Sequence, residues 1–518
     1  MSLHRRQVLG GAAAAVLATV GAAARGPDYG ALARGIDGRL VLPGDRDYPE
    51  ARRLFQPRYD AAAPAAVAYP AHAGDVAVCL EFARRAAVPV VPRGGGHSYA
   101  GWSTRTGALV VDTAAMASVT AEGDGVRIGA GARLGDVHAA LAARGLSVPA
   151  GLCPSVGIAG LTLGGGLGLA SRAYGTTADR LTGARVVTAD GTVREVSAER
   201  DGDPDLFWAL RGGGGGNFGV VTEFRFRTHR AGDCAFAELH WPAAGSADVL
   251  RGWQRWLPGL PDPFWSQVEF TVEAGAGAGA GPGSGPGDAA AAVPSVRVVC
   301  LDGRAELERQ LTRLADLVGA APRDSWTVVR SHGDTLRAMS GCLDLSAAEC
   351  RLPGTLPGRD PRGRLGRDSY TARSDFWAGA GLPDAAIGAV LDAVRRYAAD
   401  APRGGLAVVQ FDGVCGGAVN RVAVGATAFA HRDSAFLAQY LVNWPESAPA
   451  ADVARHEAWL DGLWRDLRPW ASGRAYQNYI DPKLGGWREA YYGPNLARLE
   501  EVRRTHDPDR LFRFPQAV

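Results

Sequence analysis

The chain predicts an α+β fold in two parts, with a short C-terminal segment after them. Three observations lead there. A length of 518 residues exceeds the usual size of one domain, so two cores are the default. Residues 64–230 mix helical and strand-like apolar patterns. Near residue 232 the texture changes, and longer strands separated by helices suggest an antiparallel sheet backed by helices. The parts so drawn are about 64–230, a second from about 232, and a C-terminal segment after about Ser472.

The elements follow in order. In "HRRQVLGGAAAAVLATVGAAARG", Arg5 and Arg6 precede a run of small apolar residues, and Ala22 to Ala24 suit a cleavage site. Residues 1–25 therefore read as a signal for the twin-arginine export machinery, and the mature protein is expected outside the cytoplasm. A membrane anchor is the other reading, but the run is weakly hydrophobic and short for a span, and no membrane association is expected after its removal. "DVAVCLEFARRAAVPVVPRGGGH" predicts a helix carrying Val76, Leu80 and Phe82, then a buried strand at Val88 to Val91. "ALVVDT" is a short strand, and "LGDVHAALAARG" a helix ending at Gly145. "GARVVTADGTVREVSA" is a hairpin turning at Asp190-Gly191, and "FGVVTEFRFRT" alternates as a half-buried strand should.

In the second part "FWSQVEFTVE" and "SVRVVCLDG" are strands joined by a Gly/Ala/Pro tract, 274–294, too poor in apolar side chains to order itself and expected as a flexible hairpin tip. "RDSYTARSDFW" and "GGLAVVQFDG" add strands, and the last helix lies near "LARLEEVRRTHD".

Composition narrows the function. With 47% hydrophobic residues, 21% charged and a formal charge of +2, the chain carries no basic run that would suit nucleic acid or an anionic membrane. Seven cysteines, an odd number, leave at least one without a disulfide partner in the chain. Cys342 and Cys350 flank "CLDLSAAEC" and suit a small disulfide-closed loop. No pair has metal-site spacing and the histidines do not cluster, so no metal centre is expected.

Glycine-rich loops carry the remaining signal. In "RGGGHSYAGWS", three glycines bring His97 to the end of a strand; alone, this reads equally as a tight loop with a solvated histidine. "LTLGGGLGLASRAYG" does not fit the GxGxxG spacing of a doubly wound dinucleotide fold, and no segment matches a GxxxxGK[ST] loop. What stands instead is an ordered set: "RGGGHSYAG", "GLCPSVGIAGLTLGGGLGLASRAYG", "LRGGGGGNFGVVTEF", "GGAVNRV", "AFAHRDSAFLAQY", "YQNYID" and "YYGPNLARLEEVRRTHDPDRLFRFPQ".

The set resembles the berberine-bridge-enzyme-like group of FAD-linked oxidases, within the vanillyl-alcohol oxidase or PCMH-type FAD-binding superfamily. The resemblance runs from about Pro57 to the C-terminus. It implies a PCMH-type FAD-binding domain at 57–231, a substrate domain at 232–471 and a berberine-bridge-like segment at 472–518 that returns to the FAD domain. It implies FAD joined through its 8α carbon to His97 and through C6 to Cys153, whose other reading is a buried structural cysteine. Cofactor contacts carried over are Arg93, Gly94, Gly95, Gly96 and Ser98 around His97, then Val156 and Gly157, Gly164, Gly165 and Gly166, and Asn217, Phe218, Gly219 and Val221. Tyr174 and Asp179 lie beside these loops in sequence, and for Gly212 to Gly216 local flexibility is nearly as good a reading.

The same resemblance assigns the chemistry: oxidation of a small-molecule alcohol or carbohydrate, with the hydride going to flavin N5 and molecular oxygen taking the electrons to give hydrogen peroxide. Tyr476 matches the family's base, and Asp412 the carboxylate or tyrosine that faces the flavin, although an ordinary strand-end acid is an equal reading. Cys415, where an aromatic residue or histidine is frequent, makes that stretch the least secure match. Tyr370 is a further wall residue, Asn478 should share a strand face with Tyr476, and Val156 matches the oxygen gate. A dehydrogenase with another acceptor, a ring-forming oxidase and a non-catalytic flavin carrier share most of these motifs.

Overall fold

The computed structural model describes residues 26–199, 202–274 and 293–518. The export-signal reading of 1–25 lies outside them, as does the tract reading for residues 275–292.

The first part is built on two sheets. In the four-stranded sheet the order is Arg39–Val41, Ala66–Tyr69, Leu109–Asp112 and Val90–Arg93, the last three strands running parallel. Parallel strands need a crossover, and the helix Ala73–Arg85 supplies one, burying Val76, Cys79 and Leu80 at full depth. Its N-terminus is capped by His72, which accepts the Asp75 N–H, and Arg84 and Arg85 sit where the helix dipole is negative. The strand Arg39–Val41 pairs antiparallel with Ala66–Tyr69, so this unit starts before residue 57, where the sequence reading began it.

The second sheet is five-stranded and includes the expected hairpin, Leu181–Val187 with Val193–Ser197, and the strand Val220–Arg227. The hairpin connection runs from 188 to 192, longer than a two-residue turn. Asp190 organises it by accepting from the Thr192 amide and the Thr188 hydroxyl, and Gly191 takes φ +83°.

The second part is a seven-stranded antiparallel sheet. Its order is Asp324–Ser331, Asp233–His240, Pro294–Cys300, Phe264–Glu273, Leu406–Asp412, Phe436–Trp444 and Ser369–Trp377. Period-two alternation sends Val268, Phe270, Val409 and Phe411 to one face, where Trp253, Trp256, Tyr397 and Leu460 on helices close the core. The other face carries Trp265, Gln267, Glu269, Gln410 and Asp412 toward the first part. The disulfide joins Cys342 to Cys350 with the Cα atoms 5.7 Å apart. C-terminal residues return to the first part: Tyr491, Leu499 and Val502 share a core with Phe224 and Phe226, and Phe512 bridges Val90. Among the described residues no helix is long and apolar enough to cross a membrane.

Candidate active site

A cleft of about 720 Å³ runs between the loops of the first part and the polar face of the large sheet. That volume lies in the range of ligand and cofactor pockets.

Two loops form one wall. Gly94, Gly95 and Gly96 follow the strand Val90–Arg93, and Cys153 to Gly157 precede the helix Ile158–Leu163. They meet backbone to backbone: a Cβ on Gly95 would fall on the Gly157 amide nitrogen, and one on Gly157 on the Gly95 nitrogen. Gly96 adds φ +72°, a conformation that side chains other than glycine rarely adopt. This contact brings His97 beside the Cys153 loop. His97 stacks on Phe55 with ring centroids 4.0 Å apart, and its Nε2 lies 3.0 Å from the Ser155 Oγ. Burial, aided by the charge of Arg133, holds the His97 imidazole neutral, with its pKa lowered to about 3. Among the five free cysteines Cys153 alone is exposed, on its cleft side. The protein packed behind it still pushes its thiol pKa up, against hydrogen bonds from Ser155 and Val156. Ser98, Val156, Gly157, Gly219 and Val221 complete this wall.

The other wall is the sheet. Asp412 ends its strand facing the cleft, and the Trp265 indole N–H donates to its Oδ1 over 2.7 Å. Burial raises the Asp412 pKa to about 7, reinforced by the nearby Glu269 charge and opposed by the indole. Tyr370 lies edge-on to Tyr99 at 5.0 Å, and Tyr99 stacks on Tyr479 at 5.2 Å. The Tyr99 hydroxyl accepts from Gln439 over 2.8 Å. Tyr476 is 2% exposed at the cleft floor. Its hydroxyl oxygen accepts the Gly166 N–H at 3.1 Å and the Asn478 amide at 2.9 Å. Burial raises its pKa well above the ordinary phenol value, and these donors offset only part of that rise.

The structure corrects several assignments. Gly164, Gly165 and Gly166 stand behind the cleft, where Cβ atoms would strike Asn478 of "YQNYID", Phe429 and Thr177 respectively. Asn217 and Phe218 are each 1% exposed and away from the cleft. Asn217 ties the loop to the C-terminus by donating to the Gly213 carbonyl and accepting the Val518 N–H, and Phe218 fills the core. Arg93 reaches the cleft, but its guanidinium is engaged by Asp112 at 2.5 Å and the Ala51 carbonyl at 2.7 Å. Asn478 lies in a turn, closed by the Tyr479 N–H donating to the Tyr476 carbonyl, not on a strand. Tyr174 stacks on His229, and Asp179 pairs with the buried Arg432, both apart from the cleft. Cys415 is fully buried beside Tyr476.

Sequence reading also missed wall residues. Tyr99 and Tyr479 lie inside quoted motifs, and Gln267, Glu269 and Gln410 were legible by period two from Trp265 and Asp412.

The chemistry of the donors tests whether this cleft fits FAD. Among the described residues, the backbone amides of Gly95 to Tyr99 donate to no protein acceptor. A run of free amides at a glycine loop is a nest for a diphosphate, and the long cleft beyond it has apolar walls at Val156, Leu167 and Trp265 for a flat ring. The residues fit.

Comparison with known proteins agrees. The family described as an FAD binding domain matches residues 64–197, and the family described as berberine and berberine like matches 475–518. An uncharacterized FAD-linked oxidoreductase of Bacillus subtilis is 31% identical over 490 residues, covering 93% of this chain and 97% of its own. A xylooligosaccharide oxidase of Thermothelomyces thermophilus is 31% identical over 471 residues, covering 88% of this chain and 87% of its own. Among solved structures, the berberine-bridge-like protein 1 of Physcomitrella patens superposes with a TM-score of 0.79 at 28% identity, covering 95% of this chain and 98% of that one.

Proposed function

The chain belongs to the berberine-bridge-like FAD-linked oxidoreductases, and on that premise we propose that it oxidises a carbohydrate alcohol, with FAD held covalently at both His97 and Cys153 and oxygen as the electron acceptor. The observation that carries the proposal is the pairing of walls. His97, Cys153 and the free amides of Gly95 to Tyr99 line one side of a cleft whose other side carries Gln267, Glu269, Gln410, Asp412 and Asn443. Amide and carboxylate side chains at period-two spacing suit a row of hydroxyl groups, and the xylooligosaccharide oxidase among the relatives favours sugars.

Held by these residues, FAD would supply the hydride acceptor for the substrate carbon and the route for the electron pair to oxygen. The chain supplies the rest. Amides of Gly95 to Tyr99 hold the diphosphate. Tyr476 takes the alcohol proton: the two N–H donors on its oxygen offset part of the burial that keeps it a phenol, and its ionisation is completed with substrate and cofactor charge in the cleft. Asp412, titrating near neutrality behind the Trp265 indole, tunes the charge of this pocket. Val156, half-buried and short, leaves room for oxygen. The twin-arginine reading of the leader puts this reaction outside the cytoplasm.

The test is purified protein screened against oligosaccharides and polycyclic alcohols with peroxide detection. Turnover of a sugar with matching peroxide supports the proposal. Turnover only with a quinone or dye would replace oxygen as acceptor, and turnover only of non-sugar alcohols would replace the substrate.

A further inference from the structure

We propose that Ser155 is the positioning and proton-transfer residue that connects His97 to Cys153 and promotes attachment of the flavin at the cysteine. The inference rests on the reading above that both residues carry FAD.

Ser155 is 5% exposed, and its hydroxyl touches both side chains. The Oγ lies 3.0 Å from His97 Nε2 and 3.7 Å from Cys153 Sγ. Among the described residues no other side-chain hydroxyl makes this double contact. When His97 carries its proton on Nε2, that N–H donates to Ser155 and the Nδ1 lone pair is free to bond carbon.

Each attachment replaces one flavin C–H bond and one protein N–H or S–H bond by a C–N or C–S bond. The two protons and two electrons released pass to oxygen, which leaves as hydrogen peroxide. Once His97 Nδ1 is bonded to carbon, Nε2 holds the ring's remaining lone pair. Ser155 then gives its proton to Nε2 as it takes the thiol proton of Cys153, in the same step as sulfur bonds to carbon, so that neither a free imidazolium nor a free thiolate has to form first. Backbone amides of Ser155 and Val156 hydrogen-bond the sulfur and hold its charge. A base is needed because burial keeps this thiol protonated at neutral pH. The order that follows is His97 first, Cys153 second.

The experiment maps flavin on the His97 and Cys153 peptides of full-length protein, purified at timed intervals after induction. Ser155→Ala should slow attachment at Cys153 by about 100-fold, the range for loss of a positioned proton-transfer group. It should accumulate protein flavinylated at His97 alone, and Ser155→Thr should restore both attachments. Incubating the Ser155→Ala protein near pH 10 should recover Cys153 attachment by direct ionisation of the thiol, which a folding defect would not do. Attachment at Cys153 at the parent rate in Ser155→Ala, or failure of Ser155→Thr to restore it in folded, FAD-containing protein, would overturn the inference. Parent protein with no covalent flavin would instead overturn the reading on which it rests.

Discussion

Tyr476 combines near-complete burial, which raises its pKa, with a hydroxyl oxygen that already accepts two N–H groups, which oppose that rise and aim a lone pair at the cleft. Tyr476→Phe keeps the ring against Phe376 and Phe429 and removes the oxygen. Anaerobic flavin reduction by substrate should fall by about 100- to 10,000-fold, with covalent flavin retained and chemically reduced enzyme still reacting with oxygen. Stopped-flow reduction at the parent rate would remove Tyr476 as base and leave the role to Asp412 or to Tyr479, which lies 5.0 Å from it edge-on. Asp412 makes a separate expectation. Its pKa, raised to about 7 by burial, means that its charge appears as pH rises through neutrality. If that charge assists proton removal, the reduction rate climbs across this interval, and Asp412→Asn flattens the climb. An unchanged pH profile in the variant would detach Asp412 from the chemistry.

Between elements, the contact of the "GGGH" and "CPSVG" loops governs the site. Gly95 and Gly157 are glycines because the two backbones occupy each other's Cβ positions. Gly95→Ala must separate the loops, which overpacking costs put at about 1–3 kcal/mol of stability. It should also lift His97 from Ser155, so flavinylation by peptide mapping should fall together with the melting temperature. Full flavinylation in this variant would show that the loops tolerate separation. At this scale much of the molecule was legible from sequence. The helix Ala73–Arg85, the strand Val220–Arg227 and the strands of "FWSQVEFTVE" and "GGLAVVQFDG" follow from periodicity, since each buries one face. The two walls of the cleft were half legible. His97, Cys153 and Asp412, which the resemblance singles out, line the cleft at a loop, a loop and a strand end. Gly164 to Gly166, Asn217 and Phe218 lie outside the cleft lining, since a glycine run or a loop asparagine looks alike whether a ligand or another loop packs on it. Only the tertiary partners, Asn478, Phe429 and Val518, tell the two apart.

Across the whole molecule, the two parts meet at a buried histidine pair whose protonation should govern acid stability. His229 belongs to the ribbon with Ser147, and His332 begins the helix His332–Met339; their rings lie edge to face at 6.2 Å. Around His332 are Ser147 Oγ at 3.2 Å and Cys234 Sγ at 3.4 Å, with His138 close enough to oppose its charge. Burial lowers His229 to about 3 and His332 to about 4, against 6.5 for a free imidazole. Well above pH 6.5, from about pH 7.5, neither histidine is charged in either state, so neither makes stability depend on pH. As pH falls from there toward 4, the unfolded chain takes up protons that the folded chain refuses, and the fold loses stability. The buried carboxyls Asp375 and Asp412, raised to about 7, act in the opposite sense over the same interval, because they bind protons more readily when folded. The total slope is therefore a difference of opposing groups, but a single substitution isolates one of them. His332→Asn removes one titrating proton and should reduce the slope of stability against pH between about 6 and 4.5 by up to about 1.4 kcal/mol per pH unit relative to the parent. Urea denaturation followed by tryptophan fluorescence across that interval measures it. Parallel stability curves for parent and variant would mean that the junction opens, and His332 is wetted, before the rest of the molecule unfolds.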